Sequence, residues 1–192
     1  MKSFIEEFCT NYGINAPSAE SLLKHMHEVN FKKGDMIFKP DAFCDNLYIV
    51  HTGIWRAFRP KDGEESTIWF AFHATVVIDI WCYHYAMPSK IGIVAETDGK
   101  AFVLPRKKLE ELCSHSLEIA NTVRHIFEAH AASYEVSITS RLDCNDGHER
   151  YLSILDKHPE LLQFVPLNKL ASYLLITPQS LSRIRANIKK QP

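Results

Sequence analysis

The stretch "VPLNKLASYLLITPQSLSRIRANI", residues 165–188, carries the most informative spacing in the chain. Leu167, Leu170, Ala171 and Leu174 stand at i, i+3, i+4 and i+7, which is one face of a helix. After a very short turn Leu181, Ile184 and Ile188 repeat the pattern. Thr177 suits an N-cap, because its hydroxyl can accept from the free amide hydrogens of a first turn, and Pro178 suits the first helical position. Ala171 is small enough to let two helices cross closely. The spacing predicts a helix-turn-helix, a motif that lays its second helix in the major groove of DNA.

On that second helix Leu181, Ile184 and Ile188 point one way, and Gln179, Ser182, Arg183, Ala186 and Lys190 point roughly the other. An arginine can bridge guanine O6 and N7, and a glutamine can serve adenine, so Gln179, Ser182 and Arg183 are the candidate base readers. Thr177, Ser180, Arg185, Lys189 and Lys190 lie where phosphate contact is expected. Charge supports the reading. From Val165 to Pro192 there are five basic residues and no acid, whereas the preceding 164 residues carry 17 basic and 23 acidic groups. A basic tail on an acidic body fits a module that faces a polyanion. Two helices packed inside an ordinary globular domain remain the other reading of these residues.

Working back toward the N-terminus, Glu149 to Lys157 reads as a helix, with a further turn at Glu160 to Phe164 after His158-Pro159. Asp143, Asn145, Asp146 and Gly147 form a natural break, which places a C-terminal domain at residues 143–192 and an N-terminal domain at 1–142. Before the break, Ile119, Ala120, Val123, Ile126, Phe127, Ala131 and Tyr134 keep three-and-four spacing along a long helix, about residues 115–138. Such a stripe must be covered, either by its own domain or by a twin across a two-fold axis. Pro105 opens the helical stretch.

From Asn30 to Leu104 the texture is short β-rich segments between turn residues. Val29–Lys32, Met36–Phe38, Asn46–His51, Gly53–Arg59, Glu65–Phe72, Thr75–Asp79, Ile91–Glu96 and Lys100–Leu104 are the expected strands. No βαβ period occurs, so an antiparallel β-roll of jelly-roll type is expected. Phe4–Phe8 and Ala19–Val29 precede it with helical spacing. The class is α+β: an antiparallel β-roll, a long helix and a helix-turn-helix.

Other functions lack their signatures. The longest apolar runs, such as Ala74 to Ile78, fall far below the roughly 20 residues needed to span a bilayer, so a cytoplasmic protein without a membrane partner is expected. Five cysteines, Cys9, Cys44, Cys82, Cys113 and Cys144, include no CxxC pair. Cys82 and His84 would share one face of a strand near His73, but such spacing is weak for a ligand set, and no metal site is expected. No His-x-His, GxSxG, HExxH or Walker motif occurs, which argues against a cupin-like metal enzyme and against an enzyme in general. A protein-interaction module that never touches DNA is the other alternative.

The whole chain resembles the Crp/Fnr family of transcription regulators. The resemblance rests on Gly34-Asp35, on Leu47-Tyr48-Ile49-Val50 with Gly53, on Asp62-Gly63-Glu64, and above all on the stretch from Val165. The run "ERYLSILDKHPELLQFVPLNKLASYL" is similar to a branch whose sensor has diverged from nucleotide binding. The resemblance implies a homodimer on a palindromic operator in double-stranded DNA, with RNA polymerase as a further partner. It places the family's base-reading positions on Pro178, Gln179 and Arg183, and puts Leu175 where a turn glycine is usual. In "TVVIDIWCYHYAMPSKIGIVAET" it finds neither the Gly-Glu pair that would hold a ribose nor the Arg-Ser/Thr pair that would hold a cyclic phosphate. Ser89 and Lys90 stand near the phosphate position, and Trp69, Phe72, Trp81 and Tyr83 are candidates to line a sensor pocket. Cyclic AMP is therefore not expected to bind, no cofactor is expected, and an unidentified small-molecule effector stays open.

Overall fold

In a computed structural model, which describes residues 1–144 and 146–188, two short helices lead into eight strands, and seven further helices follow the strands' region or interrupt it. Helices α1 (Lys2–Tyr12) and α2 (Ala16–Leu23) come first. The strands are β1 (His27–Phe31), β2 (Met36–Phe38), β3 (Leu47–Thr52), β4 (Trp55–Lys61), β5 (Glu64–Ala71), β6 (Val76–Val77), β7 (Gly92–Ala95) and β8 (Gly99–Leu104), with α3 (Ile80–Tyr85) between β6 and β7. Then follow α4 (Arg106–His115), the long α5 (Leu117–Asp143), α6 (Gly147–Lys157), the single turn α7 (Leu161–Phe164), α8 (Leu167–Tyr173) and α9 (Pro178–Ile188).

Two four-stranded antiparallel sheets, ordered β1-β8-β3-β6 and β2-β7-β4-β5, form the β-roll. Strand period assigns the side chains to layers. Tyr48, Val50, Trp55, Ala57, Ile93, Ala101 and Val103 meet between the sheets. Their neighbours Leu47, Ile49, Phe102 and Leu104 point to the opposite face, where Phe4, Phe8, Leu22, Leu109 and Ile126 cover them. Because β3 and β8 are covered on both sides, they read as continuous apolar runs rather than alternations.

Two expectations need correction. The helix expected at Ala19–Val29 stops at Leu23, with Lys24 as its cap, and His27 to Phe31 cross over to pair with β8 in register His27↔Val103 to Phe31↔Gly99. Pairing along five residues satisfies more backbone than another helical turn would, and it turns Val29 toward the core between the sheets. Trp81 and Tyr83 lie on a helix rather than on strand positions: the Asp79 carboxylate accepts from the Cys82 N–H at 3.0 Å and caps α3, which ends at Ala86 in the left-handed region. Cys82 faces inward on that helix and His84 does not share its burial.

The long helix α5 spans 27 residues, about 40 Å at 1.5 Å per residue. Ser116 caps it by accepting from the Ile119 N–H. Ile119, Val123 and Ile126 are spent on the helix's own β domain. Tyr134, Val136 and Ile138, farther along, are exposed. The stripe expected from Ile119 to Tyr134 is thus divided, and its first three turns are not available to a second copy.

Candidate nucleic-acid interface

Helix α8 ends in a Schellman turn: the Leu175 N–H donates to the Ser172 carbonyl at 3.1 Å and the Ile176 N–H to the Ala171 carbonyl at 3.0 Å. That closure requires a left-handed residue, and Leu175 supplies it at φ 56°, a conformation that costs a side-chain-bearing residue about 1 kcal/mol. The turn is held from outside. Arg150 of α6 donates Nε to the Leu174 carbonyl at 2.8 Å and Nη1 to the Cys144 carbonyl at 3.3 Å, placing a cation at the negative end of α8. Ile176 rests on the first turn of α6, where a Cβ on Gly147 would lie 2.5 Å from its Cγ2, so only glycine fits there.

Thr177 opens α9 by accepting from the Ser180 N–H at 3.1 Å, with its own hydroxyl donating to Ser180 Oγ at 3.0 Å. Leu181 is buried against Leu170, Ala171 and Leu174, and Ile184 and Ile188 pack on the same cluster. Gln179, Ser182, Arg183 and Ala186 are exposed on the opposite side. Ser182 donates its hydroxyl back to the Pro178 carbonyl at 3.0 Å, which leaves it an acceptor toward solvent. Arg185 is half-buried at the margin, and neither it nor Arg183 has an ion-pair partner among the described residues. Lys189 and Lys190 lie outside the described residues.

Lys169, counted within the basic tail, points elsewhere. Its ammonium pairs with Glu65 of β5, and Glu65 also takes Arg56 Nη2 at 2.8 Å, while Arg56 Nε binds the buried Glu96. Burial pushes the Glu65 carboxyl up, but Lys169 and Arg56 pull it down further and leave it below the usual carboxylate range. Beside this chain of charges, the Thr67 N–H donates to Ser172 Oγ at 3.0 Å, Phe70 meets the Tyr173 ring edge-on at 5.1 Å, and Phe72 stacks on His158 at 4.2 Å. Ile54 and Phe70 of the β-roll join one apolar cluster with Tyr151, Leu161, Leu170 and Leu181. This docking was missed at the sequence level. Its signal was the run Ile68-Trp69-Phe70-Ala71-Phe72, too apolar for a strand with one wet face.

The six candidate pocket residues do not line one cavity. Trp69 and Phe72 line a cavity between the β-roll, α5 and α6, and the other four are not among its lining residues. Tyr83 packs edge-on against Phe127 of α5 at 5.5 Å. Trp81 is exposed, with Lys90 Nζ 4.2 Å from its ring centroid. Ser89 is fully buried and its hydroxyl is engaged by Asp79 and by the main chain of Ile91. Among the described residues no group of three His, Cys, Asp or Glu is placed to hold a metal ion, and no helix is long and apolar enough to cross a membrane.

Against known proteins, residues 28–116 match the cyclic nucleotide-binding domain family. Comparison with curated proteins gives no match. Among solved structures, the chain is similar to CLP, the c-di-GMP responsive global regulator of Xanthomonas campestris, with 18% identity, 91% of this chain and 92% of that chain covered, and a TM-score of 0.73. It is similar to FixK2 from Bradyrhizobium japonicum, with 19% identity, 86% and 85% covered, and a TM-score of 0.70. It is also similar to the catabolite activator protein of Thermus thermophilus, with 17% identity, 93% and 85% covered, and a TM-score of 0.54. The fold is that of the Crp/Fnr-like transcription regulators, an antiparallel β-roll followed by a long helix and a helix-turn-helix.

Proposed function

We propose that this protein is a dimeric, sequence-specific DNA-binding transcription regulator, working in the cytoplasm on a palindromic operator, with RNA polymerase as a further partner and a signal other than cyclic AMP. The observation that carries the reading is α9. Its apolar side is fixed by Leu181, Ile184 and Ile188, and its free side offers Gln179, Ser182 and Arg183 for base edges, with Thr177, Ser180 and Arg185 beside them for phosphates. Lys189 and Lys190 follow in sequence and extend the basic face. One recognition helix reads only a half-site, so two copies are needed, and the exposed Tyr134 and Ile138, one turn apart on α5, offer an apolar surface to join them.

Support for a signal other than cyclic AMP comes from α3. The amide at its first turn is already taken by the buried Asp79 carboxylate, which also engages Ser89, the residue that the resemblance puts near the phosphate position. A second anion beside it would be repelled, and Lys90 is turned to Trp81 instead. No catalytic role is proposed.

The test is selection of bound fragments from the source genome, followed by salt-dependent titration of wild type and Arg183→Ala on the selected operator and a scrambled duplex. Arg183→Ala should lose about 1–3 kcal/mol of discrimination and flatten preference at one symmetric pair of positions. Unchanged affinity and unchanged base preference would show that α9 does not read DNA.

A further inference from the structure

A cavity of 470 Å³ opens where β5, α5, α6 and the end of α8 come together, well within the size range of small-molecule sites. Its wall has two characters. One side is aromatic and apolar, with Trp69, Phe70, Phe72 and Tyr134 facing Ile154 and Leu161. The other carries His130, Arg150, Lys157 and His158, and no aspartate or glutamate is among the described lining residues. These four basic groups are not equally free. Arg150 is tied to two main-chain carbonyls, and His158 lies flat on Phe72 with its Nδ1 3.2 Å from Glu160. Lys157, at the rim, has no ion pair among the described residues. Burial pushes the His130 imidazole down from its ordinary value, with no carboxylate beside it to offset that.

We propose that this cavity binds a small aromatic carboxylate, its ring against Trp69 and Phe72 and its carboxylate toward Lys157. An apolar ring gains by leaving water for that wall, and a carboxylate supplies the negative charge that the lining lacks. A cationic ligand would be repelled by Lys157 and Arg150, and a neutral one would make no charge-assisted contact with the lysine. Occupancy would matter beyond the cavity, because Trp69 and Phe72 belong to the β-roll, His130 and Tyr134 to the long helix, and Arg150 and Lys157 to the module that holds α9. Binding stands independently of the DNA reading above; only its effect on DNA rests on that reading.

Titration calorimetry of the full chain with indole-3-acetate, indole-3-acetamide and tryptamine tests the site, since the three probes share a ring and differ in charge. The acetate should bind saturably and at least about tenfold more tightly than the amide, the size of one charge-assisted hydrogen bond. Lys157→Met should remove most of that preference while leaving the amide unchanged. Ser133→Trp, at an exposed position on the cavity wall, should fill the space and abolish binding of acetate and amide alike. Equal affinity for acetate and amide, no saturable binding of any probe, or acetate binding that survives both substitutions each overturns the proposal. Operator affinity measured with and without indole-3-acetate then separates the two readings: bound acetate with unchanged DNA affinity removes the regulatory consequence and leaves the site.

Discussion

The two halves of α5 share one helix, yet their apolar side chains are spent differently. In the first half Ile119, Val123 and Ile126 sit in the cluster beneath the β-roll's outer face, with Phe4, Leu22 and Leu109 around them. In the second half Tyr134, Val136 and Ile138 stand 49%, 62% and 38% exposed. Helix α5 has thus found cover within the chain for only part of its apolar side chains. The lesson is that apolar side chains along one helix can serve different contacts, those of the first half covered by the β-roll and those of the second left open.

The comparison breaks most readily at Ile126. Ile126→Ala removes a fully buried side chain and should cost about 2–5 kcal/mol of stability in a denaturant titration. A loss under about 1 kcal/mol would mean the first half of α5 is not anchored as described. The second half should answer differently. Ile138→Glu should leave helical content unchanged by circular dichroism, with a stability change of about 0.5 kcal/mol or less for the isolated chain. It should nevertheless turn a dimer into a monomer in sedimentation. A dimer that persists would move the interface off α5. The smallest effect is local. Leu175→Gly relieves the left-handed strain at an exposed position and should stabilise the chain by about 0.5–1 kcal/mol, reduced somewhat by the freedom glycine adds to the unfolded state. A loss of stability there would show that the leucine side chain holds a contact of its own.

Much of this fold is legible because its signals are local. Strand period fixed the eight β segments to within a residue or two, and Gly53, Asp62-Gly63 and Asp98-Gly99 marked the turns between them. The apolar spacing of Leu170, Leu174, Leu181 and Ile184 foretold a helix pair, and Thr177 foretold its cap. What stayed hidden depends on partners far away in sequence. Nothing near Lys169 tells that it meets Glu65, 104 residues earlier, rather than solvent or phosphate. The alternation of Trp81, Tyr83 and Tyr85 mimics a strand, whereas the segment folds as a helix whose first turn Asp79 caps by accepting from the Cys82 N–H. Ser89 likewise reads as a free hydroxyl until Asp79, ten residues away, is folded against it.

The docking of α8 on β5 has a colloidal side as well. Strand β5 is the last in its sheet, hydrogen-bonded to β4 on one side only, and an unpaired strand margin is a template on which another chain can add. Helix α8 lies over that margin, and Ser172 accepts from the Thr67 N–H that such an added strand would otherwise seek. The C-terminal helical module thus also shields the β-roll against self-association. Residues 1–142 produced without it should display Ile54 and Phe70 beside an open β margin, and light scattering should rise with concentration and time, whereas the full chain should stay dispersed.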